Sequence, residues 1–122
     1  MKLHLTTAEN NNLITGYSES YVEVNRQRHT KSLLVMPQSL MLDWEVENFS
    51  ALTELHFEKI AEYNAEVVLL GTGNKHQFPH PKVYQALSNK SIPLECMTTA
   101  AACRTYNILM SEGRNVLTAL IL

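Results

Sequence analysis

Apolar and polar positions follow two different periods along this chain, and the period changes near residue 50. Before that point, short segments alternate or run apolar: Leu13 to Glu19, Tyr21 to Asn25, and His29 to Met36. In the second of these, Tyr21 and Glu23 face one way and Val22 and Val24 the other, the period-two pattern of a half-buried strand. Asn25-Arg26-Gln27-Arg28 is a polar turn that lacks the Asn-Gly pair of the tightest hairpins, and it predicts a hairpin all the same. The second half of His29–Met36, Leu33-Leu34-Val35-Met36, is wholly apolar and predicts a central strand, which Pro37 ends. Leu3-His4-Leu5 predicts a short edge strand. Leu40 to Val46 predicts a further extended piece, carrying Trp44.

From Ser50 the spacing becomes helical. Ser50 is a suitable N-cap for a helix to about Tyr63, with Leu52, Leu55, Ile60 and Tyr63 as its inner stripe. Glu54, Glu58 and Glu62 recur every four residues on the other face, where like charges repel by roughly a few tenths of a kcal/mol per pair. That ladder is either a solvated face or a docking surface for a basic partner. His56 falls inside the apolar stripe and is expected as a core or boundary histidine. Asn64 closes the helix, and Val67-Val68-Leu69-Leu70 predicts a strand covered on both faces. Pro81 opens a short helix to about Asn89, with His80 as its cap. Ile92 to Met97 is the next strand. Thr98 then caps a helix from Thr99 to about Glu112, with Ala102, Cys103, Tyr106, Leu109 and Met110 inward and Arg104, Asn107 and Ser111 outward. Gly113 is the expected residue just past its end, and Val116 to Leu122 is the last strand. A β-rich first third followed by α-β-α-β-α-β predicts an α/β fold, with four central strands from Leu33, Val67, Ile92 and Val116 in mixed directions.

Length and composition narrow this further. A chain of 122 residues is expected to be a single domain, 1–122, and buries roughly two-thirds of its unfolded surface. It is 45% hydrophobic and 18% charged with a net charge of −2, which argues against disorder and gives no basic footprint for nucleic acid. So low a charged fraction points to a covered face, and a monomer and a homodimer both stay open. No run of 18 apolar residues exists to span a membrane. MKLHLTTAENNN shows neither an export nor an organelle-targeting pattern, so a cytoplasmic location is expected. Cys96 and Cys103 are too few and too far apart for a zinc site; they read as two buried reduced thiols, or else as a disulfide or redox pair.

The stretch with most chemistry is Ala65–His80, a buried strand that stops at Gly71-Thr72-Gly73 and passes into a polar loop with Lys75 and His76. Loops at the carboxyl ends of strands are where α/β proteins hold ligands. The glycines fit neither Gly-x-Gly-x-x-Gly nor Gly-Lys-Ser/Thr, so no dinucleotide or P-loop cofactor site is implied. The helix start at Thr98-Thr99 also follows a strand, and free N–H groups there suit an anion. Gly71, Thr72, Gly73, Lys75, His76, Thr98, Thr99 and Arg104 are therefore the candidate site for a small carboxylate or phosphate ligand. The plainer alternative makes Thr98 only a cap and pairs Arg104 with a surface carboxylate. No catalytic residues, metal ligands or cofactor are assigned. Cys96 before the helix start, with His76 or His80 as base, is the nearest approach to a nucleophile.

Leu69-Leu70-Gly71-Thr72-Gly73, Phe78-Pro79, Met97-Thr98-Thr99-Ala100-Ala101-Ala102-Cys103-Arg104-Thr105-Tyr106-Asn107 and Glu112-Gly113-Arg114 together resemble a family of small domains. It includes the mitochondrial respiratory complex I assembly factor of the third type and a cytosolic adipogenesis-associated relative. The resemblance covers nearly the whole chain. It implies a three-layer α/β arrangement with a central mixed four-stranded sheet, about three helices and an added N-terminal β-hairpin. It implies no catalytic residue and no cofactor, and it points to work through protein partners. Two readings follow: a non-catalytic, assembly-factor-like binding protein with room for a small anionic ligand, or an enzyme using the Gly71–Gly73 loop, the Thr98 helix start and Arg104.

Overall fold

A strand that is apolar at every position needs cover on both faces, and that requirement sets the layers. The computed structural model describes residues 10–122; the edge strand expected at Leu3-His4-Leu5 lies outside them. In chain order the elements are β1 (Ile14–Tyr17), β2 (Val22–Val24), β3 (Gln27–His29), β4 (Leu33–Met36), β5 (Ser39–Met41), α1 (Glu54–Ala61), β6 (Val67–Gly71), α2 (Gln85–Asn89), β7 (Leu94–Met97), α3 (Thr99–Ser111) and β8 (Val116–Leu120). The four expected central strands lie side by side as β4-β8-β6-β7, and β5 extends the sheet by one strand beyond β4. β6 runs parallel to both β7 and β8, while β4 is antiparallel to β8 and β5, so the sheet is mixed.

β4, β6 and β8 are buried throughout, and alternate residues enter two cores. Leu34, Val68, Leu70 and Leu117 meet Phe57 and Ile60 of α1 and Leu87 of α2 on one side. Leu33, Val35, Leu69 and Leu120 meet Cys103, Tyr106 and Met110 of α3 on the other, together with Ile14, Val22 and Val24 from the N-terminal strands. The result is three layers: α1 and α2, the five-stranded sheet, then α3 with an antiparallel β1-β2-β3 sheet.

Four local expectations change. The helix expected to open at Pro81 with His80 as its cap starts only at Gln85, after Tyr84, with residues 81–84 in turns before it. His29–Met36 is two strands in different sheets rather than one, because the polar Thr30-Lys31 pair interrupts it before β4 begins. Ser50 does not cap α1: Asn48 caps a 3-10 turn over Phe49–Ala51, accepting the Ala51 N–H at 3.1 Å, and the α-helix starts after Thr53. That later start rotates the inner stripe. Phe57, Ile60 and Ala61 are the buried residues of α1, whereas Leu55 is 58% exposed and Tyr63, past the helix end, is 44% exposed. The fourth change concerns Asn107 of α3. Expected as an outward surface residue, it accepts the Ile14 N–H at 3.0 Å and donates to the Ile14 carbonyl at 2.8 Å, fastening β1 to the helix.

Candidate functional site

Parallel pairing of β6 with β7, Gly71 opposite Met97, brings the two strand-ending loops side by side, as the sequence suggested. They are joined directly. The Thr99 N–H donates to the Gly73 carbonyl and the Gly73 N–H to the Thr99 hydroxyl, both at 2.9 Å. The Thr99 hydroxyl in turn donates to the Ile121 carbonyl at 2.8 Å. Thr72 does the same for its own loop: its N–H donates to the Met97 carbonyl at 2.8 Å, and its hydroxyl bridges the Lys75 and Met97 carbonyls and accepts the Gln77 N–H. Thr98 caps α3 as expected, accepting the Ala101 N–H at 3.2 Å. Donors expected to face a ligand are thus consumed by threonine side chains and neighbouring carbonyls. The N–H of Ala100 is the first-turn donor of α3 left without a partner among the described residues.

The two glycines of this loop serve different ends. Gly71 is buried, and a Cβ there would stand 2.9 Å from the Thr99 Cα and 3.1 Å from the Leu120 Cδ2. Its smallness lets the loop and α3 touch. Gly73 has φ +95° with open space around it, the left-handed region that glycine tolerates best.

Beside the stitched loops lies a cleft of about 640 Å³, floored by Thr72, Gly73, Thr98 and Thr99 and walled by Tyr17 and Phe49. Its charged groups are two carboxylates, Glu19 and Glu47. Lys75, His76 and Arg104 do not line it. Arg104 touches its rim at one remove, donating to the Tyr17 hydroxyl at 2.9 Å. His76 packs against the 72%-exposed Phe78, ring centroids 4.5 Å apart. So five of the eight candidate residues, Gly71, Thr72, Gly73, Thr98 and Thr99, come together, and Lys75, His76 and Arg104 do not line the cleft beside them. Sequence reasoning missed Glu19 and Glu47 as neighbours, since no local signal links a hairpin acid to a loop more than 50 residues on.

Nor does the thiol chemistry develop. Burial pushes Cys96 up to about 11 and Cys103 up to about 12, the latter against the pull of Arg104, so both are protonated at neutral pH. No group of three His, Cys, Asp or Glu side chains among the described residues is placed to hold a metal ion.

A second cleft, about 720 Å³, opens between α1 and the Met41–Glu45 segment. Leu34, Met41, Trp44 and Ile60 form its apolar floor; Asp43, Glu45 and Glu62 stand around it with Lys59. His56 lies edge-on to Trp44 at 6.0 Å and accepts the Thr53 N–H on Nδ1 at 2.9 Å, taking the place of the usual Glu or Gln in a capping box. Burial, reinforced by Lys59, holds His56 below the ordinary histidine range.

A family model described as a protein of unknown function (DUF498/DUF598) matches residues 14–121. The chain belongs to that family. Among curated relatives, the NADH dehydrogenase (ubiquinone) 1 alpha subcomplex assembly factor 3 of Mus musculus is 34% identical over 110 residues, covering 88% of this chain and 59% of that protein. The chain therefore spans less than two thirds of the length of that relative. A 13 kDa major membrane protein of Francisella tularensis is 27% identical over 85 residues, 68% of this chain and 69% of that one. The crystal structure of a Bordetella parapertussis protein superimposes with a TM-score of 0.86 at 35% identity, covering 91% of this chain and 95% of that one. The three-layer α/β fold is thus the family's own. No helix among the described residues is long and apolar enough to cross a membrane.

Proposed function

We propose that this chain is a non-catalytic binding protein that works, in the manner of an assembly factor, by holding a protein partner. The observation that carries the reading is the exposed apolar face beside α1. Leu55 and Tyr63 stand 58% and 44% exposed over a cleft floored by Trp44 and Met41, while the hydrogen bonds at the sheet's carboxyl edge are closed internally. Exposed apolar side chains around a cleft are the usual mark of an interaction surface. The mouse relative's name supports the same reading. A cytoplasmic site of action goes with it, and fractionation of the native host checks that point against the membrane protein name of the Francisella relative.

In vivo cross-linking of a tagged chain in its native host is expected to recover a protein partner in stoichiometric amount. Recovery of the chain alone, at every cross-linker concentration, would overturn the reading. A second reading rests on the 640 Å³ cleft, whose volume is that of a small-molecule site. With Glu19 and Glu47 as its charges, it favours a neutral or cationic ligand, and a thermal-shift screen of such compounds decides whether it is occupied.

A further inference from the structure

We infer that the cleft between α1 and the Met41–Glu45 segment receives a basic segment of a partner protein, with apolar anchors seated on Trp44 and Met41; this rests on the binding-protein reading above. Charge is distributed very unevenly along this chain. Residues 43–63 hold six of its twelve carboxylates and one of its ten lysines and arginines, although the whole chain is nearly neutral. Asp43, Glu45 and Glu62 rim the apolar floor, with Glu54 and Glu58 exposed on the same helix. Among the described residues none of these five carboxylates is in an ion pair; the two ion pairs found, Arg28–Glu23 and Arg114–Glu66, lie elsewhere. The Glu54, Glu58 and Glu62 carboxylates therefore stay unpaired among the described residues, with Lys59 as the one cation beside them at the cleft.

Sign and shape together select the occupant. Nucleic acid and anionic lipid are repelled by this rim. A second copy joined about a two-fold axis would set the same patch against itself, acid rim on acid rim. A cationic segment with apolar side chains meets both demands, its charges on the rim and its anchors on the floor. Anchor contacts would be made by Leu55 and Tyr63, whose side chains stand exposed at the cleft in the free chain.

Trp44 is the sole tryptophan, so its emission reports on the cleft directly. The probe is a tryptophan-free amphipathic peptide of leucine and lysine, with a leucine–glutamate peptide of the same pattern as control. The lysine peptide is expected to shift Trp44 emission saturably at one equivalent, in a salt-sensitive way, and the glutamate peptide not at all. Leu55→Ser and the double variant Glu45→Lys, Glu62→Lys, each checked for wild-type circular dichroism, should weaken binding at least about tenfold, the scale of an interface anchor. Equal binding by wild type and both variants would overturn the site, as would a Trp44 response to anionic phospholipid vesicles matching that to the lysine peptide. A homodimer in analytical ultracentrifugation that Leu55→Ser dissociates would also overturn it, by naming a second copy as occupant. Cross-linking in the native host separates the two levels of failure. A partner captured equally by wild type and the double variant sinks this cleft and leaves the binding reading standing, whereas no partner for wild type sinks both.

Discussion

Replacing Gly71 by alanine adds one methyl group at the tightest contact between the β6 loop and α3. The new Cβ would lie 2.9 Å from the Thr99 Cα, 3.0 Å from its Oγ1 and 3.1 Å from the Leu120 Cδ2. Leu120 can rotate aside; the Thr99 Cα is backbone and moves only with the helix. Overpacking of a filled site costs roughly 1–3 kcal/mol. Pushing Thr99 away also strains its paired bonds with Gly73 and Ile121, each worth about 0.5–1.5 kcal/mol. The sum is about 2–6 kcal/mol, which at about 4 °C per kcal/mol for a chain of this size lowers Tm by about 8–24 °C. Gly73→Ala is the built-in control. It meets open space but must hold φ +95°, so about 1 kcal/mol is expected. Urea unfolding followed by Trp44 fluorescence and circular dichroism measures both. Close packing rather than turn geometry is the reason for Gly71; a Gly71→Ala loss below about 0.5 kcal/mol, or one smaller than that of Gly73→Ala, would refute it.

Leu69→Asp, a charge placed in the fully buried β6, should abolish cooperative folding against a total stability of ~5–15 kcal/mol, and a wild-type melt would show the sheet order to be wrong. Thr118→Val should stabilise by about 1 kcal/mol, since the Thr118 hydroxyl is the one buried side-chain oxygen without a partner among the described residues; a loss in urea midpoint would reveal a partner for it. Arg104→Ala is expected to leave stability within about 0.5 kcal/mol and to change no response to inorganic phosphate, because Arg104 bonds Tyr17 at the surface; an Arg104-dependent phosphate Kd would refute this and support an anion site there. His56, held below its ordinary 6.5, binds a proton less readily folded than unfolded, so its contribution to stability is complete above about pH 6.5 and is lost as pH falls toward its folded value. Protonation also removes the Nδ1 acceptor used by Thr53; His56→Gln should flatten the fall in urea midpoint between pH 7.5 and 5.5, and an unchanged slope would refute the assignment.

What the sequence displayed openly was what a wholly apolar run can display. Leu33–Met36 and Val67–Leu70 are apolar at every position and Val116–Leu120 at all but Thr118, so each needs cover on both faces, which the layers on either side of the sheet provide. The Thr98 cap was equally legible, because capping is a contact within four residues. The start of α1 was not. Asn48, Ser50 and Thr53 are all competent caps, and Asn48 takes a 3-10 turn first. The signal was present in Phe57, Ile60 and Ala61, spaced by three and four, which define a better stripe than one through Leu55. The hairpin at Asn25-Arg26 hid itself differently. Both residues adopt positive φ, 52° and 70°, as a two-residue turn demands, although only asparagine is at ease there. The Asn25 side chain accepts the Leu13 N–H and donates to Asn12, a tertiary bracing that no local pattern announces.

The two loops of the candidate site present few free donors to a ligand, for a reason that a list of residue types conceals. Threonine at a loop is counted as a donor toward ligand, yet Thr72 and Thr99 each have a hydroxyl that both donates and accepts, and a carbonyl lies within reach of each. Thr99 bonds Gly73 on one side and Ile121 on the other, tying β6, α3 and the end of β8 at one point. A site built that way is rigid and electrically quiet, with its remaining charges being the two carboxylates of the adjoining cleft. Unsatisfied character has moved instead to α1, where an apolar side chain stands 58% exposed among carboxylates that lack a partner within the described residues. Burial keeps the Cys96 and Cys103 thiols protonated at neutral pH. Docking needs only a stiff scaffold and an uncovered face of defined sign. The hydrogen-bonded sheet edge provides the first, and the acid-rimmed floor of Trp44 and Met41 provides the second.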